Sequence, residues 1–124
     1  MAPDDLQYER PTVSTHQRQV EEGRRHFEAF LQRRAEEHFE ANKIDVDYAG
    51  RHSDKIVYLW RVMTPAGRSL VIGATERAID DPEQLGKTFS LLDGADWIEM
   101  ALELAEKDRG LLVSTTAVRP MDLT

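Results

Sequence analysis

The chain has 124 residues, 40% of them apolar and 31% charged, with a net charge of −7. That is enough for one globular domain with its own core, and the absence of cysteine excludes disulfide scaffolds, thiol nucleophiles, zinc ribbons and iron–sulfur centres. The charge is −1 over residues 1–75 and −6 over residues 76–124, so binding to a nucleic-acid backbone is not expected.

Residues 1–13, with Pro3 and Pro11 among polar neighbours, read as a flexible N-terminal arm, and residues 14–124 as a single α+β domain. The acidic start Met1-Ala2-Pro3-Asp4-Asp5 lacks the basic-then-apolar pattern of a signal peptide. No apolar run approaches the roughly 20 residues of a membrane span. The expectation is a cytoplasmic protein with no membrane contact and no cofactor.

Ser14 or Thr15 offers an N-cap to a long helix reaching about Asn42. Val20, Phe27, Leu31, Ala35 and Phe39 recur on one face, with Phe30 beside them. Gly23 lies on the same stripe. It costs about 1 kcal/mol relative to Ala inside a helix, which close approach of another backbone would justify. The charged remainder, Arg18, Glu21, Glu22, Arg24, Arg25, Glu28, Arg33, Arg34, Glu36, Glu37 and Glu40, mixes signs as a solvated face does, with Glu21 and Arg25 in the favourable order for a pair.

From Ile44 the period changes to two. Ile44, Val46 and Tyr48 alternate with Asp45, Asp47 and Ala49, as in a half-exposed strand. A turn over 50–54 leads into a central strand, Lys55 to Met63, apolar on both sides: Ile56, Tyr58, Trp60 and Val62 on one, Val57, Leu59 and Met63 on the other. Thr64-Pro65-Ala66-Gly67 is a hairpin turn, returning as a third strand over Arg68 to Thr75.

Asp81 and Pro82 open a short helical turn that Gly86 ends. Asp93 then caps a second helix, with Asp96 reaching back and Leu92 stapled to Trp97. That helix buries Trp97, Ile98, Ala101, Leu104 and Ala105 and stops at Arg109-Gly110. Leu111 to Val118 forms a fourth strand, closed by Pro120. The expected fold is a two-layer α+β domain in the order α-β-β-β-α-β, an antiparallel meander with both helices mainly on one face.

Few residues form a chemical constellation. Gly86-Lys87-Thr88 resembles the end of a phosphate-binding loop, but position 81 is Asp where that loop needs Gly. The helix and strand order resembles the double-stranded-RNA-binding domain, yet the start of the last helix reads Asp93-Gly94-Ala95-Asp96, which repels phosphate. Asp45, Asp47, His52 and Asp54 are ligand types that suit Mn²⁺ or Mg²⁺. They define an alternative, a divalent-metal-dependent phosphodiesterase or nuclease-type enzyme.

The leading expectation is a non-catalytic interaction domain, self-associating or binding a protein partner. Val57, Leu59 and Met63 form a second apolar sheet face that one layer of helices leaves open. Asp96, Glu99, Glu103 and Glu106 form an acidic helical stripe suited to a basic partner. The small acidic α-β-β-β-α-β plan is similar to that of type III secretion chaperones; the resemblance implies a dimer that binds an unfolded protein segment.

Overall fold

Helix α1 spans Thr15–Phe39 in the computed structural model, which describes residues 15–52 and 56–123. The arm expected over 1–13 therefore lies outside the described residues. The helix stops short of Asn42 because Glu40 turns left-handed, with φ 52°. The Ala41 N–H then donates to the Glu36 carbonyl at 3.0 Å, which closes the last turn. Its buried residues are Val20, Gly23, Phe27, Phe30, Leu31 and Ala35, the stripe that the spacing predicts except for Phe39, which is half-buried. A Cβ on Gly23 would collide with the Ile79 carbonyl oxygen, so backbone approach is indeed what this glycine permits.

Five strands make one sheet in the order β1-β2-β3-β4-β5. They are β1 (Val46–Arg51), β2 (Val57–Met63), β3 (Ser69–Thr75), β4 (Arg109–Val113) and β5 (Val118–Asp122). The pairs β1–β2, β2–β3 and β4–β5 are antiparallel. In contrast to the expected meander, β3 and β4 are parallel. Between them run three helices, α2 (Glu76–Ile79), α3 (Pro82–Gly94) and α4 (Trp97–Glu106). A parallel pair needs such a long crossover.

The helices of this crossover correct three expectations. Asp81 does cap α3, its carboxylate accepting from the Gln84 N–H at 3.1 Å, with Pro82 in the first turn. Gly86 does not end the helix, because Leu85, Thr88 and Leu92 are buried across and beyond it. The Thr88 hydroxyl also lies within hydrogen-bond distance of the carbonyls of Ala78, at 2.7 Å, and Gln84, at 3.0 Å. These contacts outweigh the ~1 kcal/mol glycine penalty. Asp93 consequently lies inside α3 and caps nothing. The next helix begins after Asp96, which is left-handed at φ 54° and makes no side-chain cap. At the far end of α4 it is Asp108, not Gly110, that takes the positive φ, at 57°; Gly110 belongs to β4.

The single strand expected over 111–118 is instead parts of two. Ser114 folds the chain back, its N–H donating to the Ala117 carbonyl at 2.9 Å and its hydroxyl accepting from the Ala117 N–H at 3.2 Å. Pro120 sits within β5, where it is tolerated because β5 is an edge.

One core joins helices to sheet: Phe27, Phe30, Leu31, Leu92, Trp97, Ala101 and Leu104 meet Trp60, Val62, Leu70, Ile72, Leu111 and Val113. Phe30 and Phe89 stack at 4.1 Å between centroids, and Phe27 lies 4.7 Å from Trp60. The buried Trp60 indole N–H donates to Glu28 on α1 at 3.3 Å, which satisfies a polar group that burial would otherwise penalise. Glu28 is one of the residues expected on a purely solvated face.

Candidate functional site

Strand alternation sends Trp60, Val62, Leu70, Ile72, Leu111 and Val113 into the core and their neighbours to the opposite face. Register then builds that far face row by row. Arg61 sits opposite Asp47 and Val71, and Gly110 opposite Met121. Leu59 sits opposite Gly50 and Gly73, and Leu112 opposite Arg119. Met63 pairs with Ser69. None of these side chains belongs to the core cluster under the helices.

Two glycines shape the middle of this face. A Cβ on Gly73 would meet the Met121 sulfur and Leu59 Cδ2 at 3.1 and 3.2 Å. One on Gly110 would meet Met121 Cε and Leu123 Cδ2, both at 3.0 Å, and the Val71 carbonyl oxygen at 3.1 Å. The C-terminal strand thus lays Met121 across a shallow depression that only glycine leaves open, and fills part of the face from its own edge.

The three sequence-derived residues of this face fare differently. Val57 is buried, Leu59 is half-buried, and Met63 is 42% exposed. Leu123, 44% exposed, and the half-buried Val71, Leu112 and Met121 complete the apolar surface. The sequence signal for Met121 and Leu123 was their alternation with Pro120 and Asp122, which a reading of Pro120 as a strand terminator conceals. Asp45 and Asp47 are exposed at the β1 border, and Arg61 and Arg119 are exposed within the face.

The acidic stripe lies on the outer side of α4. Asp96, Glu99, Glu103 and Glu106 are all exposed. Glu99 is engaged within the molecule, its Oε2 3.0 Å from His38 Nε2 at the end of α1. Beside it, Arg34 makes two 3.1 Å hydrogen bonds to the Asp93 carboxylate, which raise its pKa further. These contacts fasten α1 to the crossover helices.

The alternative metal set is less assembled. Asp45 and Asp47 lie on one side of the β1 segment, and the His52 N–H donates to the Val57 carbonyl at 2.8 Å. Among the described residues no three His, Asp or Glu side chains are grouped to hold a metal ion, and Asp54 lies outside them. Gly86, Lys87 and Thr88 are mid-helix in α3, where no backbone nest can form around a phosphate. No helix among the described residues is long and apolar enough to cross a membrane.

No family model matches this chain, and neither a curated protein nor a solved structure matches it.

Proposed function

We propose that this chain is a protein-interaction module that self-associates through the far face of its sheet. The observation that carries the reading is a largely apolar surface, Leu59, Met63, Val71, Leu112, Met121 and Leu123, interrupted by the exposed Arg61 and lying outside the helix-covered core. Single exposed apolar side chains are ordinary; a connected patch rimmed by charges marks an interface.

Charge supports a second copy as the occupant. The exposed carboxylates of Asp45 and Asp47 lie at the β1 border, and the exposed Arg119 lies on β5 at the opposite border. In a two-fold face-to-face pairing with its axis along the strands, β1 of one protomer lies over β5 of its partner. That arrangement brings the Asp45 and Asp47 border of each copy towards the Arg119 border of the other, with Leu59, Met63, Val71, Leu112 and the exposed Arg61 between them. It is isologous, so it closes at two copies, and the sheets stack about 10 Å apart as sandwiches do.

Light scattering over a concentration series tests the reading. The wild-type chain is expected to be dimeric, and Met63→Asp monomeric with an unchanged circular-dichroism spectrum. Arg119→Glu should weaken association roughly tenfold, about 1.4 kcal/mol, and a second change, Asp47→Arg, should restore it. A strict monomer at high micromolar concentration overturns the proposal.

A further inference from the structure

We infer that the cleft between the N-terminal half of α1 and the β1–β2 edge is an anion site for a small phosphate ester of a hydroxylated carbon skeleton, such as a sugar phosphate. The cleft is an open groove of about 520 Å³, within the range of small-molecule sites and larger than a bare phosphate fills. It lies on the helix side of the sheet and is independent of the self-association reading.

Three arginines line it from two stretches of chain, Arg18 and Arg24 from α1 and Arg51 from the end of β1. Among the described residues none of the three has a carboxylate within ion-pair distance, whereas Arg34 and Arg109 each do. Convergence of unpaired cations is notable in a chain of net charge −7, since nothing in the overall field favours it.

The geometry keeps these groups available. The Arg24 guanidinium lies over the Tyr48 ring at 4.4 Å and 6.0 Å from the Tyr58 ring. Stacking uses the flat face of the guanidinium and leaves its N–H edge free to grip phosphate oxygens in pairs. Burial pushes the Tyr58 hydroxyl above its ordinary ionisation range, with Glu76 adding to the effect, so it stays a hydrogen-bond donor.

Two carboxylates also line the cleft. Glu76 is engaged by His16, Nε2 to Oε2 at 2.7 Å. Glu21 is exposed at the rim. It repels a second phosphate but accepts hydrogen bonds from hydroxyl groups, which selects a monophosphate with a hydroxylated body over a polyphosphate.

Nitrogen-15 NMR of the full chain, including arginine Nε–H signals, tests this with ribose 5-phosphate, inorganic phosphate and ribose. Ribose 5-phosphate should saturably shift the signals of Arg18, Arg24, Arg51 and Tyr58 with a dissociation constant of about 1 mM or lower. Inorganic phosphate should move the same signals more weakly, and ribose should move none. Arg24→Gln combined with Arg51→Gln should weaken binding at least roughly tenfold, with the amide spectrum showing that the fold survives. Because Arg24 also packs on Tyr48, the exposed Arg18→Gln is the second variant, expected to weaken binding roughly threefold. The proposal is overturned if neither phosphate probe shifts these signals. It is also overturned if Arg33 and Arg61 shift as much, which marks general charge screening, or if ribose 5-phosphate binds no tighter than inorganic phosphate.

Discussion

The two faces of the sheet are built from the same alternating strands yet meet different surroundings. Under the helices, Trp60, Val62, Leu70, Ile72 and Leu111 have essentially no exposure, while on the far side Met63 and Leu123 keep more than two-fifths of theirs, at 42% and 44%. Apolarity alone does not decide burial here; what decides it is whether another element arrives to cover the side chain. The crossover between β3 and β4 brings its helices to the Trp60 side, and on the other side the C-terminal strand contributes Met121 and Leu123.

The largest expected effect contrasts those faces directly. Trp60→Ala empties space against Phe27 and strands Glu28, and should cost about 3–5 kcal/mol in urea unfolding. Met63→Ala should cost under about 1 kcal/mol when measured on dilute monomer. Equal losses would erase the distinction between a packed and an open face.

The glycines sharpen the comparison at intermediate magnitude. Gly23→Ala drives a methyl into the Ile79 backbone, which cannot yield without separating α1 from α2, and should cost about 1–3 kcal/mol. Gly73→Ala meets only the flexible ends of Met121 and Leu59, and should cost under about 1 kcal/mol because those side chains can shift. A Gly73 as intolerant of Ala as Gly23 would mean that the far face is as tightly packed as the core.

The smallest effect concerns the fastening of α1. Asp93→Ala removes the Arg34 pair, whose partners are 36% and 44% exposed, so the loss should stay below about 1 kcal/mol. It should also shrink with added salt. A loss that salt leaves unchanged would point to a packing role for Asp93 instead.

Much of the fold was legible where the signal is local. The 3.6-residue stripe of α1, the alternation of β1 to β3, the Thr64–Gly67 turn and the Asp81–Pro82 helix start depend on residues within one or two turns of each other. They appear in the structure close to where they are read. Even the meaning of Gly23 could be anticipated, because a glycine on a buried helical stripe has few other reasons to be there.

The sequence by itself thus determined α1, the extended segments β1 to β3, the inner side chains of β2 and the acidic outer side of α4. Only tertiary structure decided where α3 ends, since contacts made by Leu85, Thr88 and Leu92 outweigh the local preference of Gly86 to stop a helix. It alone decided the parallel β3–β4 pair, because a strand's direction depends on the path of the whole crossover and not on its own residues. And it alone gathered Arg18, Arg24 and Arg51 around Tyr48 and Tyr58, since residues so far apart in the chain become neighbours only when α1 lies down on the sheet.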